Sequence, residues 1–244
     1  MRVLTYHRFT SELFDPVSIH PAEFARQLDW LTANVELLDA KSFDAVMAGG
    51  RSLSRDAVLI TVDDAHSSFY EKAYPLLCAR AVPVLLFICP ALIGEEASSG
   101  SSEFMSWRQL AEVSLSYVTI ASHGFRHHSL GRMEAQTAER DITQAKTTIE
   151  KRLSISNAYF AFPFGTAQDF SEDLVIVLRR HGYRYAFTSC HGACAPRSAR
   201  TLLPRIKIES GESIHFFRNL VRGHLDIWSI VDTLAWRLQQ RGRL

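Results

Sequence analysis

The chain has 244 residues, 47% of them hydrophobic, and a formal net charge of +1. That length admits one large domain or two small ones, and the apolar fraction is that of a soluble protein with a substantial core. So even a charge balance supplies no basic field for nucleic acid and no acidic field for cations. The opening residues, MRVLTYHRF, lack the apolar run and cleavage site of a secretory signal, and no segment approaches the ~18 consecutive apolar residues of a membrane span. With that start taken as native, the expectation is a cytoplasmic protein with no integral membrane segment. Cys78 and Cys89 sit in apolar runs, Cys190 and Cys194 form a single CxxxC, and a reduced, structural role is expected for all four.

Strand-like and helix-like segments alternate along the chain. Val3 to Tyr6 is a short apolar strand, and Pro21 opens a helix with Phe24, Leu28 and Leu31 on one face. A short strand is expected from Val35 to Leu38 and one or two helical turns from Phe43 to Met47. Ala57 to Val62, AVLITV, is the continuous apolar run of a strand buried on both faces. A helix over Ser67 to Arg80 and a strand over Val84 to Cys89 follow. Gly94 to Phe104, rich in Ser, Glu and Gly, predicts a mobile surface loop. Ser106 then caps a helix over Trp107 to Val113. After it come a strand from Tyr117 to Ala121, a long helix from Glu134 to Leu153 and a strand from Ala158 to Phe162. Glu172 to His181 is helix, Tyr185 to Thr188 strand, Leu202 to Ile208 a last strand, and Ile214 to Gln239 mostly amphipathic helix. No repeat or linker interrupts this order. The expected fold is therefore one α/β domain over residues 1–244 with a parallel sheet, open or closed into a barrel.

Polar clusters fall at the C-terminal ends of predicted strands, where a barrel keeps its working residues. Asp63-Asp64 follows Val62, His123 follows Ala121, and Pro163 to Gly165 follows Phe162. Adjacent carboxylates at a strand end are costly unless paired or bound to a cation, although either can also cap the helix that follows. His123 and His127 are four apart, so one helical turn presents both imidazoles to one ion. Two imidazoles and a carboxylate suit Zn²⁺ or a similar divalent metal with a position left for water, and the other aspartate is then placed to accept the proton of that water.

TVDDA, residues 61–65, resembles the TFDDG motif of the polysaccharide deacetylases, carbohydrate esterase family four with its NodB-homology domain. SHGFRHHSL, residues 122–130, resembles that family's SHTxxHxxL, and FPFG, residues 162–165, its RxPYG. The helix start MSWRQL and the opening YH are also similar to its shorter bacterial members, and the likeness runs from about Leu4 to Ile208 in the family's motif order. It implies a distorted (β/α) barrel of parallel strands, with Asp63 as general base and Asp64, His123 and His127 as metal ligands. Pro163, Phe164 and Gly165 would bind substrate, the Phe164 N–H being a candidate oxyanion donor. The reaction implied is metal-dependent hydrolysis of an N-acetyl group from an amino sugar, in a glycan or glycolipid precursor.

Three departures accompany the likeness. Ala65 stands where the motif has glycine, and Ala161 where it has the arginine that partners the base. The late Leu-x-His motif that supplies the acid is missing. Arg205 in LPRIKI is the candidate for the lost charge and is grouped with the substrate-binding residues. His7, at the end of the first predicted strand, ranks first as acid, ahead of His66, His128, His191 and His215. Two other readings are a small-molecule amidase of the allantoinase or imidase type and a non-catalytic glycan-binding relative. Trp107 and Trp228 are candidates for stacking on sugar rings, with helix-core packing the commoner role.

Overall fold

The computed structural model describes residues 1–12, 15–53, 56–95, 103–195 and 202–226. Its first strand, β1 (Arg2–Tyr6), leads into a short parallel pair, β2 (Arg8–Phe9) and β3 (Ser18–Ile19), which periodicity did not reveal because two-residue strands carry no pattern. Helix α1 (Pro21–Asn34) starts where Pro21 needs no hydrogen-bond partner for its nitrogen and where the His20 ring accepts from the Ala22 N–H. β4 (Glu36–Leu37) and α2 (Ala40–Met47) precede β5 (Ala57–Asp63), in which all seven residues are buried.

The helix expected over Ser67 to Arg80 is broken into a π turn, Phe69–Ala73, and a short α3 (Tyr74–Cys78). Pro75 has no N–H to close the α-helical ladder at this point, and the wider turn accommodates the gap. β6 (Val84–Ile88), α4 (Trp107–Val113) and β7 (Val118–Ser122) come next, α4 beginning at a capping box between Ser106 and Gln109. Then follow α5 (Ala135–Leu153), β8 (Tyr159–Ala161), α6 (Glu172–Arg180) and β9 (Tyr185–Phe187).

The last predicted strand is two: β10 (Leu202–Leu203) and β11 (Ile206–Lys207), separated by Pro204 and Arg205. The split has a topological use. β10 pairs in parallel with β9 while β11 pairs in parallel with β1, so one short segment touches both edges of the curled sheet. The order β10-β9-β8-β7-β6-β5-β1-β11 is thus a distorted (β/α) barrel of parallel strands with helices outside. Helix α7 (Ile214–Arg222) stops at Gly223, left-handed at φ 83°, and packs Phe217 edge-on against Trp30 of α1. The rest of the long C-terminal helix expected to Gln239, and Trp228 with it, lies outside the described residues. Among those described, no helix is long and apolar enough to cross a membrane.

Strand parity sorts the two cores. Val58, Ile60 and Val62 face outward and pack with Phe24, Leu28 and Leu31 of α1. Residues of odd number fill the lumen: Val3, Leu59, Leu85, Phe87, Ala121, Tyr159, Ala161, Phe187 and Leu203. One step further along the same strands, that alternation places His7, Asp63, His123 and Pro163 at the upper end of the lumen. Trp107 is buried in the outer core beneath Arg152, and so packs rather than lining the mouth.

Phe87 joins the two regions, its ring tilted against Phe187 (ring centroids 5.4 Å) and beneath Arg205 (5.6 Å). Phe87→Ala is expected to lower stability by about 3–5 kcal/mol through the cavity it leaves. Urea unfolding of the metal-free protein measures this, and a loss below ~1 kcal/mol would show that the lumen collapses around the gap.

Candidate active site

At the top of the lumen the Asp63 carboxylate is 2% exposed and held by Arg205 through two parallel bonds. Nη1 donates to Oδ1 and Nη2 to Oδ2, each at 2.7 Å. Arg205 is itself 1% exposed and donates further to the Thr188 carbonyl and the Thr61 hydroxyl. Burial by itself would raise the Asp63 pKa. The Arg205 charge, with His123 and His7 behind it, overrides that and holds the carboxyl well below the usual carboxylate range. The guanidinium grouped with the substrate contacts is thus spent on Asp63, and its burial leaves no face for a substrate. This charge reaches Asp63 from the seam strand, whereas Ala161 on β8 offers none.

Asp64 is the residue after the strand end, and simple alternation would turn it away from the lumen. Its φ of 71° reverses that, and Ala65 follows at φ 55°. The Asp64 Oδ1 consequently lies 3.6 Å from His123 Nε2 and 3.3 Å from His127 Nε2. His127 is also left-handed, at φ 58°, and Phe164 at φ 60°. Four of the six non-glycine residues with positive φ among those described therefore belong to this site, a concentration expected where the surroundings over-determine the backbone. Ala65, fully buried, can replace glycine because its neighbours are pinned. The Met105 N–H donates to its carbonyl, and His66 pairs with Phe104 across an antiparallel bridge. Gly94 and Phe104, the ends of the segment expected to be mobile, are tied down in the same way, while residues 96–102 lie outside the description.

The donor atoms of Asp64, His123 and His127 all lie within 4.8 Å of one another. His123 Nδ1 is 2.8 Å from the Ala161 carbonyl, which can only accept, so the proton sits on Nδ1 and the Nε2 lone pair faces Asp64. Asp64 Oδ1 is buried and accepts no hydrogen bond among the described residues. An orphaned carboxylate oxygen between two imidazole nitrogens is the donor set of a divalent cation, and these residues fit one. Burial pushes the His123 pKa down, which keeps it neutral, as a ligand must be.

His7 Nε2 lies 3.8 Å from Asp63 Oδ2, its Nδ1 is buried without a hydrogen-bond partner among the described residues, and burial lowers its pKa despite Asp63 and Asp64 nearby. On the other flank His66 stacks on Phe104 (4.8 Å), with Nε2 3.5 Å from Arg8 Nη2 and 3.8 Å from Asp64 Oδ2. His128 and His215 are exposed, and His191 stands beside Asp226. Phe164 sets its ring edge-on to His127 at 4.7 Å and remains 56% exposed at the rim. Gly165 admits no side chain, since a Cβ there would lie 2.6 Å from the Ser189 nitrogen. Sequence reasoning missed Asp141 and Asp169, buried carboxylates that hold the two site loops. The one available signal was that Asp141 shares the apolar face of α5 with Ala138 and Ala145.

In this parallel barrel a carboxylate and two imidazoles that could hold a metal ion converge beside a buried aspartate. The polysaccharide deacetylase family model matches residues 50–186, and the chain belongs to that family. Its sequence is 27% identical over 214 residues to the poly-beta-1,6-N-acetyl-D-glucosamine N-deacetylase of Staphylococcus aureus (strain MRSA252), covering 82% of this chain and 71% of that protein. Among solved structures, the Streptococcus pyogenes deacetylase PplD in complex with acetate superposes with a TM-score of 0.80 at 18% identity, over 91% of this chain and 97% of that one. IcaB from Ammonifex degensii gives 0.73 at 24%, over 91% and 95%. These two likenesses are of fold.

Arg205→Ala leaves Asp63 buried without its cation and should cost about 3–5 kcal/mol in urea unfolding. Because the native Asp63 pKa is depressed, the unfolded chain takes up this proton first as pH falls. The stabilisation is full above about pH 4 and is lost as pH drops through the native pKa. Replacing both partners, Asp63→Leu with Arg205→Met, should flatten that acid-side slope; an unchanged slope would assign it to other carboxylates.

Proposed function

We propose that the chain is a divalent-metal deacetylase that removes N-acetyl groups from amino sugars in a glycan, with zinc the first metal to expect. The observation that carries this reading is the orphaned Asp64 Oδ1 facing His123 and His127, one residue from the arginine-clamped Asp63. Asp64, His123 and His127 would hold the metal, which when bound acidifies a water and polarises a carbonyl.

Asp63, ionised under all working conditions by Arg205, accepts the proton of the attacking water. So acidic a group passes a proton on readily, and His7 stands 3.8 Å from it as a neutral imidazole with burial lowering its pKa. His7 is thus in the right state to receive that proton and deliver it to the leaving nitrogen. The Phe164 N–H is the candidate oxyanion donor, and its ring offers an apolar face at the rim. A rim that leaves Phe164 more than half exposed suits a chain of sugars better than a small enclosed amide. Retention of Asp63, which metal binding does not require, argues for turnover over glycan binding alone. The name of the staphylococcal relative makes β-1,6-linked N-acetylglucosamine the first polymer to test, with chitooligosaccharides beside it.

Purified protein should bind about one zinc and release acetate from one of these oligomers. Asp64→Ala should lose both properties, whereas Asp63→Asn and His7→Gln should keep the metal and lose activity by about 10²–10⁴-fold. Metal content and acetate release unchanged in Asp64→Ala would end this reading.

A further inference from the structure

The segment that carries His127 has no regular structure between the end of β7 at Ser122 and a short 3-10 turn at Leu130–Arg132. Two buried carboxylates hold it, one on each side of His127. Upstream, the Phe125 N–H donates to Asp141 Oδ1 at 2.6 Å. Downstream, the Ser129 hydroxyl donates to Asp169 Oδ1, and the Gly131 N–H donates to the Asp169 carbonyl at 2.9 Å. Asp141 is 5% exposed and Asp169 3%. The approach is close enough that a Cβ on Gly131 would lie 2.3 Å from the Gln168 carbonyl oxygen.

Asp169 gathers a second loop as well. Its Oδ2 accepts from the Thr166 N–H at 2.9 Å and from the Thr166 hydroxyl at 2.5 Å, which folds back the segment that begins at Phe164. His127 and Phe164, the two left-handed non-glycine residues of these loops, meet edge-on at 4.7 Å. Neither aspartate belongs to the Asp64, His123 and His127 cluster.

We infer that Asp141 and Asp169 are positioning residues that suspend His127 between them, and that Asp169 also sets Phe164 against it. A residue in a sparsely populated backbone region keeps that conformation only while its neighbours leave no alternative. Here the fixed points are two residues before and two after His127. Without either, His127 relaxes and its Nε2 leaves the position 3.3 Å from Asp64 Oδ1. Loss of Asp141 disturbs the metal donor alone, whereas loss of Asp169 disturbs the metal donor and the substrate-facing ring together. This inference rests on the metal-site reading above.

The test is titration of metal-free protein with Co²⁺, followed by visible absorbance, beside thermal unfolding of the same samples and kinetics on an N-acetylglucosamine oligomer at saturating Co²⁺. Asp141→Ala and Asp169→Ala should each raise the Co²⁺ Kd by about 10–100-fold, the range for losing a group that orients a ligand. Asp169→Ala should also raise KM several-fold, while Asp141→Ala leaves it within about twofold of wild type. Asp141→Asn and Asp169→Asn, which keep an acceptor oxygen, should recover most of the affinity. Should the alanine variants fail to fold, Ser129→Ala removes only the cross-loop bond and should still raise the Kd about tenfold. Variants that melt lower yet bind Co²⁺ as tightly as wild type would make both aspartates merely structural and overturn the inference alone. Wild type that binds no Co²⁺ would overturn the metal-site reading and the inference together.

Discussion

The ion pair between Asp63 and Arg205 is the constraint on which the rest of the site depends. Taking two charges out of water costs several kcal/mol per ion, recovered only when geometry is good and every remaining donor and acceptor is used. The geometry here is bidentate, and the spare arginine donors go to Thr188 and Thr61, whose hydroxyl in turn donates to the Leu4 carbonyl. The pair also bridges the sheet. Asp63 ends β5, and Arg205 lies in the break between β10 and β11, the segment that joins the first strand to the ninth. A misplaced seam would strand a buried carboxylate, so the pairing of the seam strands and the burial of Asp63 depend on each other.

That coupling shapes the chemistry. A carboxylate held so far below its usual range is reliably ionised but is a weak base by Brønsted reasoning. In the proposed reaction the compensation is proximity, with Asp63 at a fixed place in the lumen mouth and the His7 imidazole beside it. On the opposite side, strain does the positioning. Positive φ at Asp64 swings its carboxylate to the mouth shared with Asp63, so adjacent residues of one strand end serve one site despite opposite parity. Ala65 keeps this turn without glycine because the Phe104 and Met105 backbone is laid across it.

How much of this was legible follows from the range of the interactions. β5 was plain because seven consecutive buried residues are written as one apolar run. Asp63, Asp64 and His123 were legible because each ends or follows a strand whose period is visible locally, whereas His127 was read from a four-residue spacing on a helical turn that the segment after β7 does not form. Arg205 was reachable as a missing charge, yet its burial against the base, in place of substrate contact, depends on a strand broken at Pro204 and paired on both sides. Asp141 and Asp169 gave almost no signal. One looks like an ordinary polar residue of a long helix and the other like a loop aspartate, and their partners lie 16 and 40 residues away. The π turn before α3 and the β2–β3 pair were hidden because neither runs for enough repeats of its period to announce it.

The two histidines flanking the aspartates illustrate how the fold settles what residue type leaves open. His7 and His66 are both buried imidazoles near a carboxylate, and burial lowers the pKa of both. Their surroundings differ in what remains available. His66 has its ring face against Phe104 and its Nε2 beside the Arg8 guanidinium, a cation that disfavours protonation there and occupies the approach. His7 faces Asp63 across 3.8 Å, and although burial and the charges of Arg205 and Lys207 lower its pKa, Asp63 and Asp64 both favour its charged form. In the proposed reaction a proton taken up by Asp63 therefore has a neighbouring acceptor in His7, whereas His66 lies beside Asp64. The strand parity that puts residues 3, 5 and 7 in the lumen is what brings that neighbour to the base. The role of proton carrier proposed for His7 thus rests on its odd residue number, one past the end of β1, as much as on the chemistry of imidazole.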